Sequence, residues 1–173
     1  MSHNRRAAIL QLLSHRHQPV TGADLAQRFG VSRQVIVQDI ALLRAQGAAI
    51  VATPRGYLYG DISTTAVFTR RLACRHTPSQ TRSELIAMVE AGCRVVDVIV
   101  EHPLYGEIRG LLLLNTLADV EDFINRYQSQ EAQLLSSLTE GVHLHTLEAS
   151  NGSAIEEAED RLHRLGILLP TGN

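Results

Sequence analysis

Three histidines and a glutamate in the second half of the chain are of the types that bind transition metals. His143 and His145 are two residues apart in a segment that predicts a strand, so both side chains leave one face of it, and Leu144 is expected to face the core. His76 closes an earlier predicted strand, and Glu84 lies about a turn and a half into the helix that follows. Imidazole and carboxylate together suit Zn, Ni, Fe or Mn, so the four residues predict a metal site.

These four side chains can converge only if the first and last strands of their domain lie near each other. The predicted order β-α-β-β-α-β, with a trailing helix, indicates a split β-α-β domain in which helices cover one face of a four-stranded, mainly antiparallel sheet. The first and last strands of such a sheet can be close. The alternative for each histidine by itself is a hydrogen-bonded core or surface residue, and the residue pattern leaves both interpretations open.

Two further positions near this set have two interpretations each. Cys74 stands two residues before His76 and could lie beside a metal; the alternative for it, as for Cys93, is a reduced and buried thiol. The turn His-Pro-Leu-Tyr-Gly places His102 and Tyr105 on a rigid rim where a small effector could be bound. The alternative for His102 is a turn residue that caps a strand.

Hydrophobic periodicity predicts the elements that position these residues. The predicted strands of this domain span 66–75, 94–101, 107–114 and 142–148. The predicted helices span 79–91, 118–127 and 153–165, and the second could continue to Leu138. A polar stretch over 61–65 is the predicted linker between a domain at 1–60 and a domain at 66–173.

The first third of the chain has the spacing of a winged helix-turn-helix domain, which makes the whole chain α+β in class. Three helices are predicted, each opened by a side chain able to cap it, namely Asn4, Thr21 and Ser32. The first helix is expected over 5–14, and Gly30 forms the tight turn between the second and third. Two short strands at 49–52 and 57–59 predict a β-hairpin, the wing.

Side chains on the third predicted helix and at the wing tip could contact DNA. The candidates are Ser32, Arg33, Gln34, Val37, Gln38 and Arg55. Because a winged helix places its third helix in the major groove, Arg33 could pair with guanine, and Gln34 or Gln38 with adenine. Val37 could touch a thymine methyl group or simply pack, and Arg55 suits a phosphate or the minor groove. The alternative is a solvated helix face.

Charge divides unequally between the two predicted domains. Residues 1–60 hold seven arginines and two aspartates, a net charge of +5, whereas residues 61–173 hold nine arginines and sixteen acidic residues, a net charge of −7. This division favours nucleic-acid contact through the first domain alone, with Arg5, Arg6 and Arg44 as further candidates for phosphate contacts. Because one such domain rarely specifies a site, the acidic domain is expected to form a homodimer that pairs two DNA-reading heads.

Membrane and enzyme classes have little support. No charged and apolar leader opens the chain, and no apolar run approaches the roughly 20 residues of a bilayer span, so we expect a cytoplasmic protein with no membrane partner. A metallohydrolase using Glu84 or Glu148 as its base is disfavoured because the chain has no HExxH helix and no nucleophile beside a base. We therefore do not expect an enzyme.

With these residues in view, the chain resembles the niacin-responsive transcriptional repressors, in which a winged-helix head is joined to a three-histidine (3H) domain. The resemblance rests on Val31-Ser32-Arg33-Gln34, residues 52–57, His76 with Glu84, the turn 102–106 and the strand 142–147. It implies a divalent transition metal, Zn or Ni foremost, held by His76, Glu84, His143 and His145. It also implies nicotinic acid as co-repressor and operators upstream of NAD-synthesis or niacin-transport genes.

Two other functions stay open beside this one. The chain could be a regulator that senses the divalent metal itself, in which case its DNA affinity would follow the metal concentration. It could also be a DNA-binding module whose second domain only dimerises.

Overall fold

The computed structural model describes residues 2–62 and 68–170 and divides the chain into two compact units, Met1–Thr64 and Thr65–Asn173. Residues 63–65 of the predicted linker and 66–67 of the following predicted strand lie outside the described residues. Among the helices of the described ranges, none combines the length and the apolar character needed to cross a bilayer.

The first unit contains three helices and a two-stranded hairpin. They are α1 (Ser2–Ser14), α2 (Gly22–Phe29), α3 (Arg33–Ala45), β1 (Ile50–Thr53) and β2 (Gly56–Tyr59). The hydroxyls of Thr21 and Ser32 accept hydrogen bonds from the third residue beyond them, which confirms both predicted caps. The cap predicted at Asn4 is wrong: the helix already includes Asn4, because neither proline nor glycine precedes it to stop the helix.

The wing is joined to the helices by Val20, which adds a short antiparallel bridge to β2. The amide of Val20 donates to the carbonyl of Tyr57 at 3.0 Å, and the amide of Tyr57 donates back at 2.8 Å. Gly56 permits this approach: its φ is +127°, and a Cβ there would overlap the carbonyl of Val20. A core of apolar side chains from all three helices and β1 lies behind the hairpin, including Ile9, Leu13, Leu25, Ile36, Ile40 and Ile50.

The second unit is a four-stranded antiparallel sheet with helices on one face. Its elements are β3 (Phe68–Arg75), α4 (Thr81–Glu90), β4 (Arg94–His102), β5 (Gly106–Leu114), α5 (Leu117–Ser129), β6 (Val142–Ala149) and α6 (Gly152–Arg164). The strand order is β3-β6-β4-β5, with antiparallel neighbours throughout. The last strand thus lies between the first two, which confirms the split β-α-β prediction.

One apolar core fills the space between the sheet and its three helices. Its fully buried members include Leu85 and Met88 of α4, Val120 of α5, Ile155 and Leu162 of α6, and Val95 and Leu147 of the sheet. The segment after α6 pairs with the outer edge of β3, where the amide of Leu169 donates to the carbonyl of Ala73 at 2.9 Å. Pairing of this kind covers part of an otherwise open edge.

Three details of this unit differ from the sequence-based predictions. The helix α5 ends at Ser129 rather than continuing to Leu138, because the chain turns into a short 3-10 helix, Leu135–Thr139, that packs on β4. A 3-10 turn at Pro78–Gln80 delays the start of α4, so Glu84 lies in its first turn. The orientation predicted for β6 is also wrong, because the histidines face the helices and Leu144 is half-buried on the opposite face.

Candidate metal centre and nucleic-acid interface

The structure brings the three histidines together around the carboxylate of Glu84. His76 Nε2 lies 2.6 Å from Oε2 of Glu84, His143 Nε2 lies 2.9 Å from Oε1, and His145 Nε2 lies 3.4 Å from Oε2. The side chains of all four are at most 3% exposed. The placement follows from topology, since β6 lies beside β3 and directs His143 and His145 toward the first turn of α4.

Each histidine ring is oriented through its other nitrogen. The Nδ1 atoms lie close to backbone carbonyl oxygens, at 2.7 Å for His76 with Thr77, 2.8 Å for His143 with Gly141 and 2.6 Å for His145 with Asp97. Because a carbonyl only accepts, each Nδ1 must carry the proton. Each Nε2 therefore either holds a second proton or presents a lone pair toward Glu84, and metal-binding histidines are commonly held in this way.

The electrostatics of the cluster favour a charged carboxylate and raise the pKa values of two of the rings. Burial alone would raise the pKa of Glu84, but the charge of His145 and the hydrogen bonds from His143 and His76 hold it well below 4.5. Burial alone would lower the pKa values of His76 and His145, but the neighbouring carboxylate raises both above 6.5. Protons and a metal cation would therefore compete for the same nitrogen atoms.

The donor set fits a divalent transition metal. Among the described residues, Nε2 of His145 is buried and makes no hydrogen bond, only an ion-pair contact of 3.4 Å with Oε2 of Glu84. A nitrogen left in that state inside a core is costly unless something else uses its lone pair or proton. Three imidazoles and a carboxylate suit Zn, Ni, Fe or Mn, and a metal ion would replace the contacts that the rings now make with Glu84.

Two residues that position the cluster were not identified from the sequence. Gly141 has a φ of +88°, and a Cβ there would overlap the carbonyl oxygen of His76, so the approach of β6 to His76 requires glycine. The carboxylate of Asp97 is fully buried, pairs with Arg109 at 2.5 Å and accepts from the amide of Thr146. For Gly141 the available signal was a glycine directly before the strand that carries His143 and His145. Asp97 gave no such signal, because it lies at a register shift that the sequence does not reveal.

A narrow cavity of about 30 Å³ lies against the cluster, enough for a water-sized molecule. Half-buried Phe123, Leu134 and Leu135 stand among its walls. The buried hydroxyl of Thr81 also lines it and has no hydrogen-bond partner among the residues described. The cavity is thus apolar apart from the cluster and a few hydroxyl groups.

The turn 102–106 lies outside this cavity. Nδ1 of His102 accepts from the amides of Leu104 and Tyr105 at 3.2 and 3.4 Å, and the two rings lie 5.1 Å apart. This geometry stabilises the turn. A larger groove of about 510 Å³ extends from His143 to Gly106, but neither His102 nor Tyr105 lines it, so their contact with an effector stays a prediction.

The candidate DNA-contacting side chains lie together on the exposed surface of the first unit. Ser32, Arg33, Gln34 and Gln38 are exposed along the first turns of α3, Val37 is half-buried, and Arg55 is exposed at the wing tip. Asp39, on the same helix, is 3% exposed and pairs with Arg5 at 2.6 Å and Arg6 at 3.6 Å. These two arginines hold α1 against α3, a role that the sequence analysis did not assign.

Comparison with known proteins relates both units to transcription regulators. Residues 5–58 match an HTH domain and residues 69–171 match the 3H domain. The chain is 44% identical over 169 residues to the probable transcription repressor NiaR of Thermotoga maritima, covering 97% of this chain and 95% of that protein. It is 43% identical over 171 residues to the transcription repressor NadR of Bacillus subtilis, covering 98% and 95%. The chain therefore belongs to the family of transcription repressors, not enzymes, in which a helix-turn-helix domain is joined to a 3H domain.

Proposed function

We propose that this chain represses genes of NAD biosynthesis or niacin uptake, with nicotinic acid as co-repressor. The observation that carries the proposal is the near full-length similarity to two transcription repressors, combined with an intact histidine–glutamate cluster. A regulator of this kind acts in the cytoplasm, where its operator DNA lies. The direct test is a gel shift on the DNA upstream of its own gene. If the protein retards this DNA no more than it retards unrelated DNA, the proposal is refuted.

His76, Glu84, His143 and His145 are the proposed ligands of a divalent transition metal, Zn or Ni foremost. The support is geometric: three Nε2 atoms lie within 3.4 Å of one carboxylate, and each ring is fixed through Nδ1. Bound there, the ion would supply a Lewis-acid site for a carboxylate oxygen. The chain's own residues orient the rings and keep all four side chains at most 3% exposed.

The effector is proposed to enter through the narrow cavity beside this cluster. Nicotinic acid offers a carboxylate for the metal and a flat ring for the apolar walls. The hydroxyl of Thr81, buried without a partner among the described residues, can hydrogen-bond the entering molecule. Because the cavity is only about 30 Å³, the half-buried side chains of Phe123, Leu134 and Leu135 must move to admit the ring.

DNA binding is proposed to involve a homodimer whose two α3 helices read successive half-sites. Arg33, Gln34 and Gln38 would meet base edges, Val37 a thymine methyl group, and Arg55 the backbone or minor groove. Effector binding would favour one placement of the two heads, and a coupling of about 1–3 kcal/mol is enough to change operator affinity several-fold or more.

A second candidate function, sensing of the metal alone, is favoured by the small size of the cavity. Calorimetric titration of the zinc-loaded protein with nicotinic acid separates the two functions. Measurable heat with about one ligand per chain supports the co-repressor. No heat, with operator affinity that follows zinc concentration, supports the metal sensor.

A further inference from the structure

The thiol of Cys74 lies beside the histidine–glutamate cluster, and the proposed function gives it no role. Cys74 on β3 is paired with His143 on β6, and directly opposed residues of antiparallel strands project from the same face. Its side chain is fully buried. The sulfur atom, a carboxylate oxygen of Glu84 and a ring nitrogen of His143 all lie within 4.8 Å of one another.

This spacing fits donors that share one ion. Bonds of about 2.3 Å to sulfur and about 2.1 Å to nitrogen or oxygen put two donors of one zinc ion at most about 4.4 Å apart. A movement of the Cys74 side chain toward Glu84 and His143 would therefore let its sulfur share an ion with them. The buried Nε2 of His145 lies at the same carboxylate and has no hydrogen-bond partner in the described part of the chain, which independently indicates a ligand here.

Charge balance gives the sulfur a reason to bind. A divalent cation among neutral imidazoles and the single carboxylate of Glu84 would leave one positive charge uncompensated in a buried site, which is unfavourable. The nearby carboxylate of Asp97 is already paired with Arg109 at 2.5 Å. Burial and Glu84 raise the pKa of the Cys74 thiol, so the thiol would lose its proton to solvent only as the metal–sulfur bond forms. The resulting thiolate would complete the neutralisation while no effector carboxylate is bound.

We propose that Cys74 is a fifth ligand of the metal centre, bound through its sulfur. This proposal rests on the metal centre proposed above. Because sulfur is a softer donor than imidazole or carboxylate, its presence would make the site softer than one of histidine and carboxylate alone. Thiolate donors favour zinc, cobalt and nickel over manganese and magnesium, so the sulfur would bias the choice of metal.

Cobalt(II) loaded into the full-length protein tests this directly, because sulfur bound to cobalt gives a charge-transfer band in the near ultraviolet, separate from the visible ligand-field bands of any bound cobalt. We expect both sets of bands in the wild type. Cys74→Ser should lose the charge-transfer band while keeping the ligand-field bands. The matched control is Cys93→Ser, because Cys93 is also buried but its thiol donates to the carbonyl of Ala154; it should keep both.

The outcomes separate this proposal from the metal centre itself. Ligand-field bands without a charge-transfer band in the wild type would overturn sulfur ligation and leave the metal centre in place. No cobalt binding at all would overturn both. If Cys74→Ser does not fold, X-ray absorption on the zinc-loaded wild type decides: a sulfur shell at about 2.3 Å supports the proposal, and a shell of nitrogen and oxygen alone contradicts it.

Discussion

Each histidine around Glu84 uses one ring nitrogen to fix its orientation and directs the other to the same carboxylate. Because the Nδ1 atoms are held by the carbonyls of Thr77, Gly141 and Asp97, the rings cannot turn away without losing a buried hydrogen bond. The cluster therefore keeps its shape through the backbone. This explains how histidines from two distant segments of the chain can present an ordered set of donors.

Replacing both strand histidines, in His143→Ala/His145→Ala, should reduce metal content from about one ion per chain to near none, since two of the proposed nitrogen ligands disappear. Metal analysis after dialysis measures this. His102→Ala is the matched control, because this ring lies in the turn beyond the cluster, and it should retain its metal. Unchanged metal in the double variant would refute the ligand assignment.

The metal-free protein should lose stability as the pH rises above 6.5 and through the raised pKa values of His76 and His145. The pKa values of His76 and His145 are raised above 6.5, so their contribution is complete below 6.5 and disappears as the pH rises through the raised values. The pKa of Glu84 is lowered, so its contribution persists above 4.5 and is lost only as the pH falls through the lowered value.

Zinc should reverse this trend, because deprotonated nitrogen atoms bind metal better as the pH rises. Urea unfolding of metal-free and zinc-loaded protein, begun below pH 6.5 and repeated at stepwise higher pH, tests both signs. The His143→Ala/His145→Ala variant should lose part of the metal-free pH dependence, because it removes His145 but keeps His76. A metal-free wild type that gains stability toward the higher pH would contradict the described electrostatics.

At the scale of elements, the sequence predicted the helices, strands and their order to within a few residues, because hydrophobic periodicity and capping residues are local signals. It could not predict that Leu135–Thr139 leaves the helical path to pack on β4, since that contact is tertiary. The face of β6 was predicted wrongly, because alternation identifies two faces but not which one the helices cover. The role of Gly141 could not be predicted either, because it depends on contact with His76, which is far away in sequence.

The close passage of β6 past His76 predicts the effect of Gly141→Ala. The variant should lose about 3 kcal/mol or more, because an added Cβ meets the carbonyl of His76 at a positive φ. Gly166→Ala is the control: its φ is +70°, but an added Cβ has nothing within 4 Å, so only about 1 kcal/mol of backbone strain is expected. If urea unfolding gave equal losses of unfolding free energy for the two variants, the approach of Gly141 to His76 would not be tight.

Helix α3 and the wing should contribute differently to operator binding. Arg33→Ala should cost about 1–3 kcal/mol on the operator and relax the preference at one base pair, since Arg33 is exposed at the start of α3. Arg55→Ala should weaken binding to all DNA sequences alike. It should also reduce the slope of log affinity against log salt concentration by about 1, because one phosphate contact is lost. Anisotropy titrations on operator and scrambled DNA measure both; equal losses on both DNAs for Arg33→Ala would exclude base contact.

At the scale of the whole molecule, the basic first domain and the acidic second domain suit separate tasks. One head of this size reads a short site, so two heads held at a fixed spacing are needed for a specific operator. We expect sedimentation of the metal-loaded protein to give twice the chain mass of 19.0 kDa. A monomer at micromolar concentration that still binds its operator would contradict the dimer proposal.

A small carboxylic acid, bound at a metal in the second domain, is proposed to control DNA binding by the first. The most direct measurement is the operator affinity of zinc-loaded protein with and without saturating nicotinic acid. The proposed coupling predicts tighter binding with the acid, by about 5- to 150-fold. It also predicts no such change in His143→Ala/His145→Ala. Equal affinity of the wild type in the presence and absence of the acid would show that nicotinic acid is not a co-repressor of this protein.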